Sequence, residues 1–216
     1  MRSSDSRNAP VDAVVFDMDG TLIESTTAVN SAFRAAVAAG GGPRCSDTEI
    51  VAAYPLGPPR RILDHLLGRP ATQDDLDRYY THLGDGQVRA YEGIGETLAA
   101  LTERCPVAVF TGASHRAARI LLGAAGLLGH FEVIVGGDQV TNPKPAPDGI
   151  LHACGRLGVE PGSVAYVGDS PLDLQAAWHS GAVAVAAAWG HLYDAGQPAD
   201  RTAHRPADLR SLVHAG

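Results

Sequence analysis

The sequence predicts an α/β fold: a three-layer, doubly wound parallel-sheet core with a small α-helical domain inserted into it. Three observations lead there. After Arg104, short apolar runs rich in valine alternate with helical stretches, the pattern of parallel strands joined by right-handed crossovers. A similar run at 11–16 stands alone near the start and breaks off in turn-forming residues. Between Thr21 and Arg104 there is no strand-like run, only helical patterning, over a stretch too long for a plain loop.

Residues 11–16 (VDAVVF) are the first strand, apolar except for Asp12. Residues 26–40 read as a helix, with Val29, Ala32, Phe33, Ala36 and Val37 on one face and three glycines at 40–42 as its stop. Helices follow near 46–54, 59–68 and 72–83, punctuated by Pro43, Pro55, Pro58 and Pro70. Strands are predicted at 106–110, 131–135, 164–167 and 183–186. Helices are predicted at 114–125, 147–157 and 172–180, ending at Gly126, Gly158 and Gly181. Residues 190–206 read as loop and 207–214 as a short closing helix. The expected division is a core at 10–22 and 90–216, a helical domain at 23–89, and a flexible leader at 1–9.

The 216-residue chain is 45% hydrophobic and 19% charged, with a formal net charge of −7. That is the composition of a soluble globular protein, and its acidity argues against a nucleic-acid partner. The longest apolar stretch, Ala182 to Trp189, is too short to span a bilayer, so no membrane partner is expected. Cys45, Cys105 and Cys154 fit neither a disulfide framework nor a CxxC zinc site and suggest a reducing, cytoplasmic setting. The cations are lopsided: sixteen arginines against one lysine, Lys144. Solvation alone would be served by arginine, so this lysine stands out.

Each strand expected near the sheet centre leads into a polar cluster. The first gives Asp17, Met18, Asp19, Gly20 and Thr21; the second gives Thr111 and Gly112. The loop before the helix at 147 carries Lys144 between prolines, and the fourth strand gives Gly168, Asp169 and Ser170, with Asp173 one turn later. Two aspartates one residue apart repel unless a cation or phosphate-binding groups compensate. A carboxylate nucleophile, an acid/base, a hydroxyl, an ammonium and further acidic metal ligands are the parts of a phosphoryl-transfer site. Singly, each has a plainer reading: a turn or helix N-cap for the DxD, Thr111 and Ser170; a solvated side chain for Lys144; helix-dipole charges for Asp169 and Asp173. Their succession at consecutive strand ends favours the chemical reading.

DMDGT, Thr111, Lys144 and GDSxxD, in this order and spacing, resemble the haloacid dehalogenase superfamily, in its phosphoglycolate-phosphatase-like branch with a helical (C1) cap. The resemblance covers nearly the whole chain and is weakest in the cap. It implies a Rossmann-like core and Mg²⁺ as cofactor. Asp17 would be the nucleophile, forming an aspartyl-phosphate, and Asp19 the acid/base. Asp17, Asp169 and the Asp19 backbone carbonyl would be the Mg²⁺ ligands, with Asp173 acting through water or by orienting Lys144. Thr111 and the N–H groups near Met18 and Gly112 would bind phosphate oxygens, and Lys144 would neutralise phosphate charge.

Absences narrow the reaction. Dehalogenases lack the second aspartate of the DxDGT motif, and the cap has no lysine for Schiff-base chemistry. Gly168-Asp169 differs from the Glu-Asp usual in the β-phosphoglucomutase relatives. The leading expectation is Mg²⁺-dependent hydrolysis of a small-molecule phosphate monoester by a monomer or weak homodimer. A sugar-phosphate mutase of the same superfamily and a non-catalytic phospho-acceptor or binding protein are the alternatives. In the cap, Arg60 and Arg61 read either as contacts for a substrate anion or as a solvated helix start. Tyr54 reads either as a substrate contact or as cap core.

Overall fold

Short strands of valine, alanine, phenylalanine and tyrosine, buried on both faces, set the architecture. The computed structural model describes residues 9–214, so most of the expected leader lies outside the described residues. One sheet contains β1 (Ala13–Phe16), β4 (Val107–Phe110), β5 (Val133–Val135), β6 (Val164–Gly168), β7 (Val183–Ala187) and β8 (Arg201–Ala203). The order is β5-β4-β1-β6-β7-β8 and every pairing is parallel. Two further short strands, β2 (Ile23–Glu24) and β3 (Arg89–Ala90), pair antiparallel away from it.

Successive side chains point to opposite faces of a strand, and each face here has its own core. Val14, Phe16, Val109 and Val167 face one way; Val15, Phe110 and Tyr166 face the other. α5 (Ile94–Thr102), α6 (His115–Ala124) and a 3₁₀ stretch at Pro206–Leu212 cover the first face. α7 (Asp148–Leu157) and α8 (Pro171–Ser180) cover the second. β1 lies between β4 and β6, so the strand order reverses beside it. The crevice at the carboxyl ends of strands flanking such a reversal is where open α/β sheets bind ligands.

Between β2 and β3 lie α1 (Thr26–Ala39), α2 (Asp47–Ala53), α3 (Pro59–Leu67) and α4 (Gln73–Gly84). Ser46 and Thr72 close the N-termini of α2 and α4 with capping boxes. Phe33 stacks on Tyr79 with centroids 4.3 Å apart, joining α1 to α4. α4 rests on α6: the Tyr80 hydroxyl lies 3.1 Å from Ser114 Oγ, and Arg116 sits over the Tyr80 ring and pairs with Asp77 at 3.0 Å. Among the described residues, no helix is long and apolar enough to cross a membrane.

Four local readings need correction. β2 and β3 lie where no strand was expected; two residues each are too few to leave an alternating pattern. α5 went unread because it starts at Gly93 in the left-handed region with no side-chain cap, so the usual start signal is missing. The expected loop at 190–206 contains β8, whose Ala203 is buried but whose other residues are polar. The closing helix at 207–214 is instead 3₁₀ over 206–212.

One polar knot holds the inserted helices. Asp75 accepts from Thr72 N and Oγ1, both at 2.8 Å, and pairs with Arg69 at 2.8 Å. Arg69 also donates to the Gly40 carbonyl at the end of α1. These hydrogen bonds hold the buried Asp75 carboxyl far below the usual carboxylate range. Asp75→Asn is expected to cost about 2 kcal/mol in urea unfolding at pH 7. A depressed carboxyl stabilises fully above its unfolded value and loses that contribution as pH falls toward its folded value. The gap between wild type and variant should therefore hold from pH 7 to about 4 and narrow below.

Candidate active site

The carboxyl ends of β1, β4 and β6 bring the predicted groups together. Asp17 follows β1 directly, and its backbone N–H bonds the Val167 carbonyl of β6, which fixes it against the neighbouring strand. Gly20, at φ +87°, turns the chain sharply, and Gly20 N–H returns to the Ile23 carbonyl at 2.9 Å. Past the end of β1, Asp17 is buried and Asp19 half-buried.

Lys144 arrives from the loop before α7. Its Nζ donates to Asp17 Oδ1 at 2.5 Å and to Asp173 Oδ1 at 2.8 Å, and the side chain is 12% exposed. It lies 5.0 Å from the centroid of Phe110 and 5.4 Å from that of Tyr166. Burial works against its charge, but Asp17 and Asp173 outweigh it and hold the ammonium well above its ordinary range. Burial also lifts the Asp17 carboxyl, against the pull of Lys144.

Asp173 is committed on both oxygens. Oδ2 accepts from Ser170 N and Oγ in the capping box of α8, and Oδ1 accepts from Lys144 and from the Tyr166 hydroxyl at 3.3 Å. Asp169 differs: Oδ2 accepts from Leu192 N at 2.9 Å, while the buried Oδ1 has no partner. Burial raises its carboxyl too. Oxygens of Asp17, Asp169 and Asp173 lie within 4.8 Å of one another. An orphaned buried carboxylate oxygen beside a second carboxylate is the donor set a hard divalent cation satisfies, so these residues fit a metal.

Asp19 lines a cavity of about 320 Å³ under the inserted helices. Burial raises its carboxyl, and the Ser25 hydroxyl, which donates to Oδ1, opposes that rise. Thr111 is buried at the end of β4, where Oγ1 accepts from Ala113 N at 3.1 Å. The Met18 and Gly112 N–H groups make no hydrogen bond among the described residues. Arg60 and Arg61 are not brought to the cavity; Arg60 instead donates to the Ala71 carbonyl at 2.7 Å. Tyr54 does line it, with its hydroxyl bonded to Asn30 at 2.7 Å.

Residues 11–181 match the haloacid dehalogenase-like hydrolases. The chain belongs to that family. A phosphoglycolate phosphatase of Chromobacterium violaceum is 33% identical over 95% of this chain and 98% of its own. An N-acetylmuramic acid 6-phosphate phosphatase of Pseudomonas aeruginosa is 32% identical over 91% and 88%. The crystal structure of CbbY from Rhodobacter sphaeroides in complex with phosphate is similar in fold, with a TM-score of 0.76 and 25% identity over 92% of this chain and 96% of that one. This haloacid dehalogenase-like hydrolase is thus an enzyme with phosphatases among its relatives.

Several supporting residues of this hydrolase escaped sequence reading. Ser25 looks like a helix start and Tyr166 like a core aromatic. The loop after β7 closes the site from the side: Trp189 Nε1 donates to the Thr21 carbonyl at 2.9 Å, and Leu192 N–H holds Asp169. Gly190, between them, has the Asp169 side chain and the Gly20 carbonyl where a Cβ would stand. Gly190→Ala should displace Asp169 and lower kcat about 10²-fold, with the far-ultraviolet circular dichroism spectrum unchanged. Wild-type kcat in that variant would show that the loop tolerates the methyl group without moving the carboxylate.

Proposed function

We propose that this chain is a Mg²⁺-dependent hydrolase of small-molecule phosphate monoesters, of the phosphoglycolate-phosphatase-like kind, working through an aspartyl-phosphate. The observation that carries this reading is the division of labour between its first two carboxylates. Asp17 is buried against Lys144, whereas Asp19 lines the cavity that would receive the leaving alcohol.

In the first step an Asp17 carboxylate oxygen attacks phosphorus and the bond from phosphorus to the ester oxygen breaks. Asp19, whose carboxyl burial raises, serves as the acid and gives a proton to the departing alkoxide. Asp19 then takes a proton from water, which attacks the phosphorus of the aspartyl-phosphate and releases inorganic phosphate and the Asp17 carboxylate. Lys144, Thr111 and the Met18 and Gly112 N–H groups hold phosphate oxygens in line. Lys144 belongs to Asp17 and Asp173 before substrate arrives, so its charge is already oriented. Asp17, Asp169 and the Asp19 carbonyl would hold Mg²⁺, with Asp173 oriented behind them; when bound, the ion supplies charge neutralisation for the phosphoryl group. The helices between β2 and β3 act as a cap that excludes water and reads the alcohol.

Phosphate release from a panel of small phosphate monoesters, with Mg²⁺ and with chelator, tests this reading. Mg²⁺-dependent release is expected. An aspartyl-phosphate that forms but does not turn over would make the protein a phospho-acceptor instead.

A further inference from the structure

We propose that the substrate's alcohol half is uncharged and largely apolar, a ring-bearing alcohol, and not a hydroxy acid or a second phosphate. This rests on the phosphatase reading above. The cavity leading from Asp19 has walls of Val29, Phe33, Ile62, Tyr79, Leu121 and Leu192, contributed by the insert, α6 and the loop after β7. Apart from Asp19 and His191, its polar side chains are hydroxyls. Ser25 is committed to Asp19, Tyr54 to Asn30, and Ser114 is shared with Tyr80 and the start of α6.

Among the described residues, no lysine or arginine lines this cavity. Several nearby arginines have partners of their own: Arg34 pairs with Asp47 in a neighbouring groove that shares Thr26, Arg69 with Asp75, and Arg116 with Asp77, while Arg61 is exposed and does not line the cavity. Arg60 and Arg78 are tied to backbone carbonyls. His191 is the one basic group, and its Nδ1 faces Asp169 Oδ2 at 3.9 Å, turned to the metal side. Burial pushes both Tyr54 and Tyr79 phenols far up, with Asp19 adding to it, so the aromatic wall stays neutral beside a carboxylate.

An anionic substituent on the alcohol would leave water for these walls with no cation to meet it. A ring gains from the same walls by burying apolar surface and stacking on the aromatic side chains. The volume, about 320 Å³, lies at the lower end of small-molecule pockets, so a two-carbon acid would leave most of it unfilled. The preference departs from both curated relatives, which are named for phosphate esters of acids.

The test compares kcat/KM for benzyl phosphate, 4-carboxybenzyl phosphate and 2-phosphoglycolate with Mg²⁺ at one pH. All three are primary alkyl phosphates, and the first two differ only by a remote carboxylate. Benzyl phosphate should exceed each acid by at least about tenfold. Equal or better use of either acid overturns the inference while leaving the phosphatase intact. No phosphate from any of the three overturns both. In Thr26→Arg, at the exposed start of α1 on the cavity rim, the advantage of benzyl phosphate over phosphoglycolate should shrink at least about fivefold. An unchanged ratio would mean that the missing cation is not what excludes acids.

Discussion

Replacing Asp17 by asparagine is expected to lower phosphate release by about four orders of magnitude with little change in fold. Asparagine keeps the shape of the side chain and one oxygen for the Lys144 ammonium, which now sits 2.5 Å from Asp17 Oδ1. What it loses is the nucleophile, since a neutral amide does not attack phosphorus at a useful rate. Thermal stability should stay close to wild type, because a carboxylate disfavoured by burial is exchanged for an uncharged group while the lysine keeps the charge of Asp173. Two readouts separate this from general damage. The variant should still bind an unhydrolysed ester by calorimetry. Acid-quenched wild type should carry an acyl phosphate on the peptide containing Asp17, and the variant should not. Wild-type turnover in Asp17→Asn would remove the nucleophile from the mechanism.

Lys144 carries the second large effect. Lys144→Arg should lower kcat/KM about 10²-fold, because a planar fork cannot occupy a point between two carboxylates and above two rings. Lys144→Met goes further. It leaves the buried Asp17 and Asp173 without their cation and should destabilise the protein by about 3 kcal/mol in chelator at pH 8. The pH dependence follows from the sign of the carboxyl shifts. Without the lysine, the Asp17 carboxyl, which burial already raises, titrates above its unfolded value, so the folded chain binds more protons than the unfolded one. Stability of Lys144→Met should then recover as pH falls from 8 toward 5, narrowing the gap to wild type. Added Mg²⁺ at pH 8 should recover part of it as well. A gap that ignores both pH and cation would trace the lysine's contribution to packing on Phe110 and Tyr166.

Much of this was legible because the core strands are buried on both faces. Runs such as VAVF and VAYV have no other place in a globular protein, and their ends mark the crevice. Asp17, Asp19, Thr111, Asp169 and Asp173 each fall next to such an end or one turn from it, and Lys144 stands out as the chain's single lysine, in the loop before α7. The loop after β7 was opaque for the opposite reason. Gly190 and Trp189 act through contacts with residues far away in sequence, Asp169, Gly20 and Thr21, so nothing local marks them. The cavity is harder still. Arg60 and Arg61 stand out as cations in the right segment, yet where an arginine points depends on the carbonyl or carboxylate that receives it. For Arg60 that partner, Ala71, is eleven residues downstream.

The short antiparallel pair of β2 and β3 has a consequence for how such a protein can change. Ile23 lies opposite Ala90, so the chain leaves the catalytic platform and rejoins it at one point. The helices between form a bight whose ends are already tied. Lengthening or shortening that bight alters its closure entropy only logarithmically and leaves the positions of Asp17 and Asp19 untouched. The sheet platform and the inserted helices are therefore separable inheritances. A new selectivity can be acquired by exchanging one continuous run of sequence, with no compensating change in the residues that handle phosphorus.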